Sequence, residues 1–522
     1  MVSLVAEGTW RYARWNLRFE TDGVWLMRGW TTLDTGVMVV YIAGIVTFGS
    51  LFARRQKNVG DFFLAGRSFR WLPIALSVIS ADLSAISYMG APAMSFQKDL
   101  RYALSILILP IAVLIAVSVV VQMFYRLKVF TVYEYLERRF HVSIRSLAAV
   151  LFMLTRGGWL ATVIYTPALA LSVVSGMNLT LCIMATGLLT TVYACLGGME
   201  AVIWCDVIHF CVLTSGIVLA LGFILYDFGG NAGAIWRIAS EAGHTRMVSF
   251  DWHLSAEFTV WGLIVMGLVV NLSSYGVDQV IVQRYLTARS LREVVKSAVG
   301  QSILVLPVML GLYLVGTGLV AYYDQHPEMM QSLLSIDPGH PSKSMDRVFP
   351  HFITYAMPMG ISGLVIAGIM AATMSSVDSG VNSLTTVAIV DFYKRFFHRP
   401  WKDERHYLVA ARVGTTVIGV GATVAAFFVG QLGTILEITG KISGFLVGPI
   451  VGMFLLGVLT KRANTPGVFL GTLAGLGLVA WVATQTDVFW LWYSGIGLAS
   501  SAISGLCLSL CLKRWSKPCP SI

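Results

Sequence analysis

The chain has 522 residues, 56% of them hydrophobic, and Asp, Glu, Lys and Arg together make up only 12%. Soluble domains run at about a quarter charged. With a mean hydropathy of +0.74, this composition excludes a disordered chain, a polar-surfaced solenoid and a set of soluble domains, and leaves a polytopic α-helical membrane protein lying in a lipid bilayer. The net charge of +10, from 37 Lys+Arg against 27 Asp+Glu, fits cytoplasmic loops enriched in bases, so no nucleic-acid partner is needed to explain it.

Residues 1–33 interleave Arg11, Arg14, Arg18 and Arg28 with Trp10, Trp15, Trp25 and Trp30. Bases alternating with indoles suit an extracytoplasmic segment at the headgroup level, not a span. A spanning helix needs about 20 apolar residues. Thirteen segments qualify, at 34–53, 71–95, 103–125, 145–174, 178–198, 200–226, 257–283, 295–323, 359–390, 405–430, 434–458, 465–484 and 488–512. The loops between them are too short for an independent domain, so residues 1–522 are expected to form one transmembrane unit.

With the N-terminus outside, 24 of the 37 bases fall in inward loops and 6 in outward loops. Four more lie in the N-terminal segment, and Arg156, Arg412 and Lys441 lie inside helices. That bias predicts N-terminus out and C-terminus in. Six of the seven cysteines lie in apolar runs without Cys-x-x-Cys spacing and read as small buried hydrophobes. No phosphate-binding loop occurs, and only His209 lies well within a span, so an enzyme is not expected. Gly440, Gly444, Gly448 and Gly452, like Gly467, Gly471 and Gly475, recur every four residues as helix-packing faces.

Four segments carry polar runs where a lipid-facing helix would be plain: Ser80–Ser87 in the second, Asn271–Tyr275 in the seventh, Ser375–Ser379 in the ninth and Gly440–Gly444 in the eleventh. The second and seventh stand five helices apart. Two copies of an odd-numbered unit must be inverted relative to one another, giving repeats at 71–226 and 257–458 followed by two helices at 465–512. Broken helices in matching positions of inverted repeats predict a substrate and ion site at the midplane. Sodium needs several oxygens. An unwound turn around Ser80–Leu83 supplies carbonyls, and Ser375 and Ser376, one turn after Ala372, supply hydroxyls.

Asp82, Asp206 and Asp378 are the deepest acids, and intramembrane acids are costly unless they have a function. Asp206 lies close enough to Gly197–Glu200 that it could instead reach the cytoplasmic interface. Arg156 and Lys441 are deep bases. Each could pair with a protein carboxylate, Glu437 in the case of Lys441, or bind an anionic group of the substrate. A channel would show a continuous polar stripe without matching broken helices. A transporter of a small-molecule solute is therefore the preferred reading, with no obligate protein partner.

The runs Asp61-Phe62-Phe63-Leu64-Ala65-Gly66-Arg67 and Tyr133–Phe140, the stretch Gly197–Asp206, Gln283-Arg284, Ala371 to Asn382-Ser383, and Lys461–Asn464 resemble the sodium/solute symporter family, in order along most of the chain. Among its members the bacterial sialic acid symporters look nearest, with sugar and proline symporters further off. The resemblance implies a LeuT-type fold of five plus five inverted helices with additional ones, in the plasma membrane. It puts a sodium site on the carbonyls of Ser80, Leu83 and Ala372 and the hydroxyls of Ser375 and Ser376. A second sodium site, present in some members, would use Ser375, Asp206, Asp378 and Ser379. Asp378 stands where those members have Ser, so one or two sodium ions, or a proton, are expected. Substrate positions would include Asp82, Ser84, Ser87, Arg156, Asn271, Tyr275 and Lys441. The arginine that holds the sialic acid carboxylate aligns with Trp159, one turn after Arg156. Sugar symporters carry glutamine at Lys441, and the lysine of a galactose symporter has no counterpart in residues 297–320. A small carboxylate or sugar-like solute is expected, with a neutral sugar or amino acid as the alternative.

Overall fold

The computed structural model describes residues 30–51, 64–127, 129–196, 198–335, 345–397 and 404–512. The proposed interfacial segment, save its last residues, and Asp61-Phe62-Phe63 lie outside them. Among the described residues there is no strand, only an isolated bridge between Phe69 and Ala288.

Each of the thirteen apolar segments coincides with a helical stretch. These are α1 (Thr32–Ser50), α2a and α2b (Trp71–Asp82, Ala85–Gln97), α3 (Arg101–Leu127), α4 (Val142–Ser175), α5 (Leu179–Leu196), α6 (Met199–Asp227), α7a and α7b (Val260–Leu272, Gln279–Leu286), α8 (Leu291–Gln325), α9 (Ile361–Phe397), α10 (Glu404–Val429), α11 (Ile435–Leu459), α12 (Thr465–Gln485) and α13 (Trp490–Cys511). Eleven stretches are long and apolar enough to cross a membrane alone, and the pair α2a and α2b makes up to twelve. The remaining one, α5, is a shorter apolar helix. α4 and α8, at 34 and 35 residues, rise about 50 Å and outreach a hydrocarbon core of about 30 Å. They must tilt or project.

α9 is the centre of the molecule. Its spanning window is 89% buried, against 17% for α1. It packs on α6, α4, α10, α1 and α2, which lets its run of Ser, Thr and Asp be satisfied by neighbours. The glycine faces act as read from the sequence. A Cβ at Gly448 would lie 2.2 Å from the Ser494 carbonyl oxygen, and one at Gly471 would lie 2.3 Å from Gly505 Cα, so α11, α12 and α13 touch backbone to backbone.

Of the four polar interruptions, only two break the helix. α2 bends by 59°: Leu83 leaves helical geometry at φ −77, ψ 75, and Ser84 caps the restart by accepting from Ile86 N at 3.2 Å. α7 loosens into a π-turn over Ser273–Val277, and extended Asp278 accepts from Val280 N at 2.8 Å to start α7b. α9 and α11 run unbroken through Ser375–Ser379 and Gly440–Gly444. Polar residues there are a face, not a gap, because a helix unwinds only where its backbone groups find other partners.

The N-terminus of α9 has no cap of its own; Gly360 precedes it at φ 82. Asp34 of α1, 2% exposed, supplies one, accepting from Gly360 N at 2.7 Å and Gly363 N at 3.0 Å. Asp346 plays a similar part for α11, accepting from Ile435 N at 3.2 Å. Burial, with a smaller push from Glu437, raises the Asp346 carboxyl to about 7 against the pull of Ile435 N–H and Arg347.

Replacing Asp34 with Ala is expected to lower stability by about 1–2 kcal/mol, read as a fall in apparent Tm in detergent, with Asp34→Asn falling less. Folded Asp346 keeps a proton that the unfolded chain releases near pH 4. Its contribution to stability is therefore fully present below about pH 4 and lost as pH rises through about 7. Asp346→Asn should remove that slope from the Tm–pH curve.

Candidate functional site

The two breaks face one another. Tyr275, on the π-turn of α7, donates its hydroxyl to Asp82 Oδ2 at 2.7 Å, so the substrate positions expected on opposite repeats meet directly. Ser84 N–H turns to the Asp82 carbonyl at 3.0 Å, which takes the i+4 donor away from Ser80 O and leaves that carbonyl turned out of the helical ladder. Across from it on α9, Ser376 donates to the Ala81 carbonyl at 3.3 Å. Ser80, Leu83, Ala372, Ser375 and Ser376 are all buried, none more than 2% exposed, and the broken turn and the serine pair of α9 are brought together.

Behind this turn lies a second polar cluster. Asp206 is 1% exposed, so its carboxylate is enclosed by the protein. Its Oδ1 accepts from Ser375 at 2.5 Å, and its Oδ2 accepts from Ser77 at 2.5 Å and from Arg284 at 3.0 Å. Ser80 donates to the Asp206 carbonyl at 2.8 Å. Arg284 also donates to Ser77 at 2.8 Å and to Ser379, and Ser379 donates to the Ser375 carbonyl. The oxygens expected to form a second cation site are thus shared with a guanidinium. Asp378, 3% exposed, joins the same region, and its Oδ1 has no hydrogen-bond partner among the described residues.

Arg284 corrects the sequence reading. It was counted among the inward loop bases, yet it is fully buried, because α7b begins after the break and continues inside the protein. For Lys441 the structure takes the first of its two alternatives: the side chain is half-exposed and pairs with Glu437 at 2.7 Å. Arg156 is deep as expected and pairs through Nε with Asp278 Oδ2 at 2.7 Å while its guanidinium lies 4.6 Å from the Trp159 ring centre. Asn271 bonds back to Gly267 O at 2.7 Å on its own helix. Ser84 serves as the cap of α2b, and Ser87 is partly exposed beside it.

Ser77, Asp278 and Arg284 were not singled out from sequence as site residues. The available signal for Asp278 was an Asp just before a helical octet that follows a polar interruption, an N-cap pattern. For Arg284 the pairing partner, Asp206, is 78 residues away and carries no local trace.

The model of the sodium:solute symporter family matches residues 62–475. The chain is 30% identical over 481 residues to the sodium/sialic acid symporter NanT of Aliivibrio fischeri, covering 91% of this chain and 92% of that protein. It is 32% identical over 459 residues to the sodium-dependent multivitamin transporter of Oryctolagus cuniculus, covering 87% of this chain and 70% of that protein. The fold superposes with a TM-score of 0.85 at 27% identity on a substrate-bound, outward-open Na+-coupled sialic acid symporter, over 94% of this chain and all of that one. The architecture is the LeuT-type arrangement the resemblance implied. The chain belongs to the sodium:solute symporter family and is a multi-pass membrane transporter, not an enzyme, that couples solute movement to sodium.

Proposed function

We propose that this protein imports a small carboxylate-bearing or sugar-like organic solute across the plasma (inner) membrane by alternating access. Thirteen spans run from an outside N-terminus to an inside C-terminus, with inverted repeats at 71–226 and 257–458 and two further helices at 465–512. The concentration of Lys and Arg in the inward loops supports this orientation even after Arg284 is moved to the interior.

The observation that carries the reading is the broken turn of α2 held against Ser375 and Ser376 of an unbroken α9. An unwound turn offers carbonyls at a fixed spacing, and the serines add hydroxyls without a charge that must be desolvated. Sodium would sit among Ser80, Leu83, Ala372, Ser375 and Ser376. Asp206, Asp378 and Ser379 would serve a second cation or a proton. A membrane potential of 100 mV contributes about 2.3 kcal/mol per charge moved inward, so each coupled ion adds that much to solute accumulation.

Purified protein in proteoliposomes should take up at least one solute from a screen of sugars, amino acids and carboxylates only when sodium is higher outside. Uptake indifferent to sodium for every solute would overturn the reading. Ser376→Ala should raise the half-saturating sodium concentration by about tenfold or more, since a hydroxyl facing a full charge contributes about 1.5–3 kcal/mol. Arg284→Ala should lower stability by about 3–5 kcal/mol, because it leaves Asp206 buried without its counter-charge. Thermal unfolding in detergent reads this second effect.

A further inference from the structure

We infer that the solute is a zwitterion, with its carboxylate on the terminal nitrogens of Arg156 and its cationic nitrogen on Asp82. The inference rests on the symport reading above and deepens it by naming the solute class.

Arg156 uses only Nε on Asp278. Its two terminal nitrogens make no hydrogen bond among the described residues, and the Trp159 ring, 4.6 Å from the guanidinium carbon, backs the group. A planar guanidinium so held presents a two-pronged donor that matches a carboxylate. Asp278 is fully committed, with Oδ2 on Arg156 and Oδ1 on the first turn of α7b, so it is a positioning residue for Arg156. Asp82 and Arg156 are both brought to the break of α7, Asp82 through Tyr275 and Arg156 through Asp278 three residues further on. It accepts one hydrogen bond, from Tyr275 to Oδ2, and Oδ1 accepts none among the described residues. Tyr275 therefore turns the carboxylate and leaves one oxygen for a donor of the solute.

The charge count points the same way. Arg156 and Asp278 cancel, so an ionised Asp82 needs one positive charge at the turn. A single sodium in the adjoining oxygen cage supplies it, with Asp206 and Arg284 cancelling behind the turn and Asp378 served by the second cation or proton proposed above. A zwitterion keeps the sum at zero when the site closes. A simple carboxylate would add an unpaired negative charge to a dry site, and an amine without an acid would leave the Arg156 fork unmatched. A neutral sugar would keep the sum but leave the terminal nitrogens of Arg156 and Oδ1 of Asp82 without an ionic partner of their own. Lys441 cannot supply the missing positive charge, because it is already paired with Glu437 on the half-exposed face of α11.

The test is sodium-driven uptake into proteoliposomes of matched probe sets: the protein amino acids and glycine betaine, each set against nitrogen-free and carboxyl-free partners. Alanine would be compared with lactate and ethylamine, and proline with tetrahydrofuran-2-carboxylate and pyrrolidine, beside N-acetylneuraminate and glucose. At least one zwitterion should be carried about tenfold or more better than its two partners, the loss expected for one missing charge-assisted hydrogen bond. Asp82→Asn should bring that zwitterion-to-hydroxy-acid ratio down toward one, a change in selectivity that a merely structural role would not produce. An unchanged ratio overturns the inference. So does uptake of lactate, N-acetylneuraminate or glucose better than any zwitterion, or no uptake of any zwitterion at all. A non-zwitterion carried with sodium in preference to every zwitterion defeats the inference and leaves symport standing. A zwitterion carried without sodium does the reverse.

Discussion

The ion pair between Asp206 and Arg284 joins four elements at one point: α6 supplies the acid, α7b the base, α2a the Ser77 hydroxyl and α9 the hydroxyls of Ser375 and Ser379. Neither side chain is more than 1% exposed. Taking both charges out of water is expensive, and only the complete set of hydrogen bonds makes it tolerable. That requirement ties the spacing of α2a and α9 to the presence of α7b. The broken turn of α2 can face the serine pair of α9 only because the cluster behind it holds both helices in register. The α2 turn itself costs helical hydrogen bonds, and Ser84 and Ser376 replace some of the lost partners.

A second consequence concerns where backbone is loosened. α3, α7 and α9 each contain a π-turn, at Val117–Val121, Ser273–Val277 and Ala388–Tyr393. π-turns concentrate at functional places because they displace carbonyls without ending the helix. The one in α7 delivers Tyr275 to Asp82. The one in α9 presents Asp391 to Arg145 and to Thr131, 2.7 Å away, which clasps the far end of α9 to the short helix Tyr133–Arg139 through Glu137 and Arg145. α9 is thus held at both ends by carboxylates and in the middle by serines, while its centre stays regular.

Much of this was legible from residues alone. Apolar length placed all thirteen helical stretches, and the breaks in the second and seventh followed from Ser, Asp and Asn where lipid-facing residues belong. The same signal misread the ninth and eleventh, because a polar run signals that partners exist without saying whether they are backbone or side chain. In α9 the partners are Asp206 and the Ala81 carbonyl, so the helix has no reason to open. Lys441 looked deep by counting residues from the helix start, but depth along an axis says nothing of what a side chain meets, and one turn from Glu437 it is half-exposed and already paired. Arg284 failed for the opposite reason. Counting loop charges assumes that a base at the end of an apolar run is in water, and here a break inside the run carries the end of the helix into the core. Asp278 and Arg284 have partners 122 and 78 residues away, distances at which single-sequence patterns carry no pairing information.

α1 is the least buried of the spanning helices, with Val39 and Val40 exposed, yet its Asp34 holds two N–H groups at the head of α9. Those donors have no other acceptor if α1 departs, so the two helices must travel as a unit or leave buried donors unsatisfied. The most peripheral helix is therefore mechanically continuous with the one that carries the serine pair. A spectroscopic label on its outward face, far from any bound ion, would report the motion of the central helix without touching it.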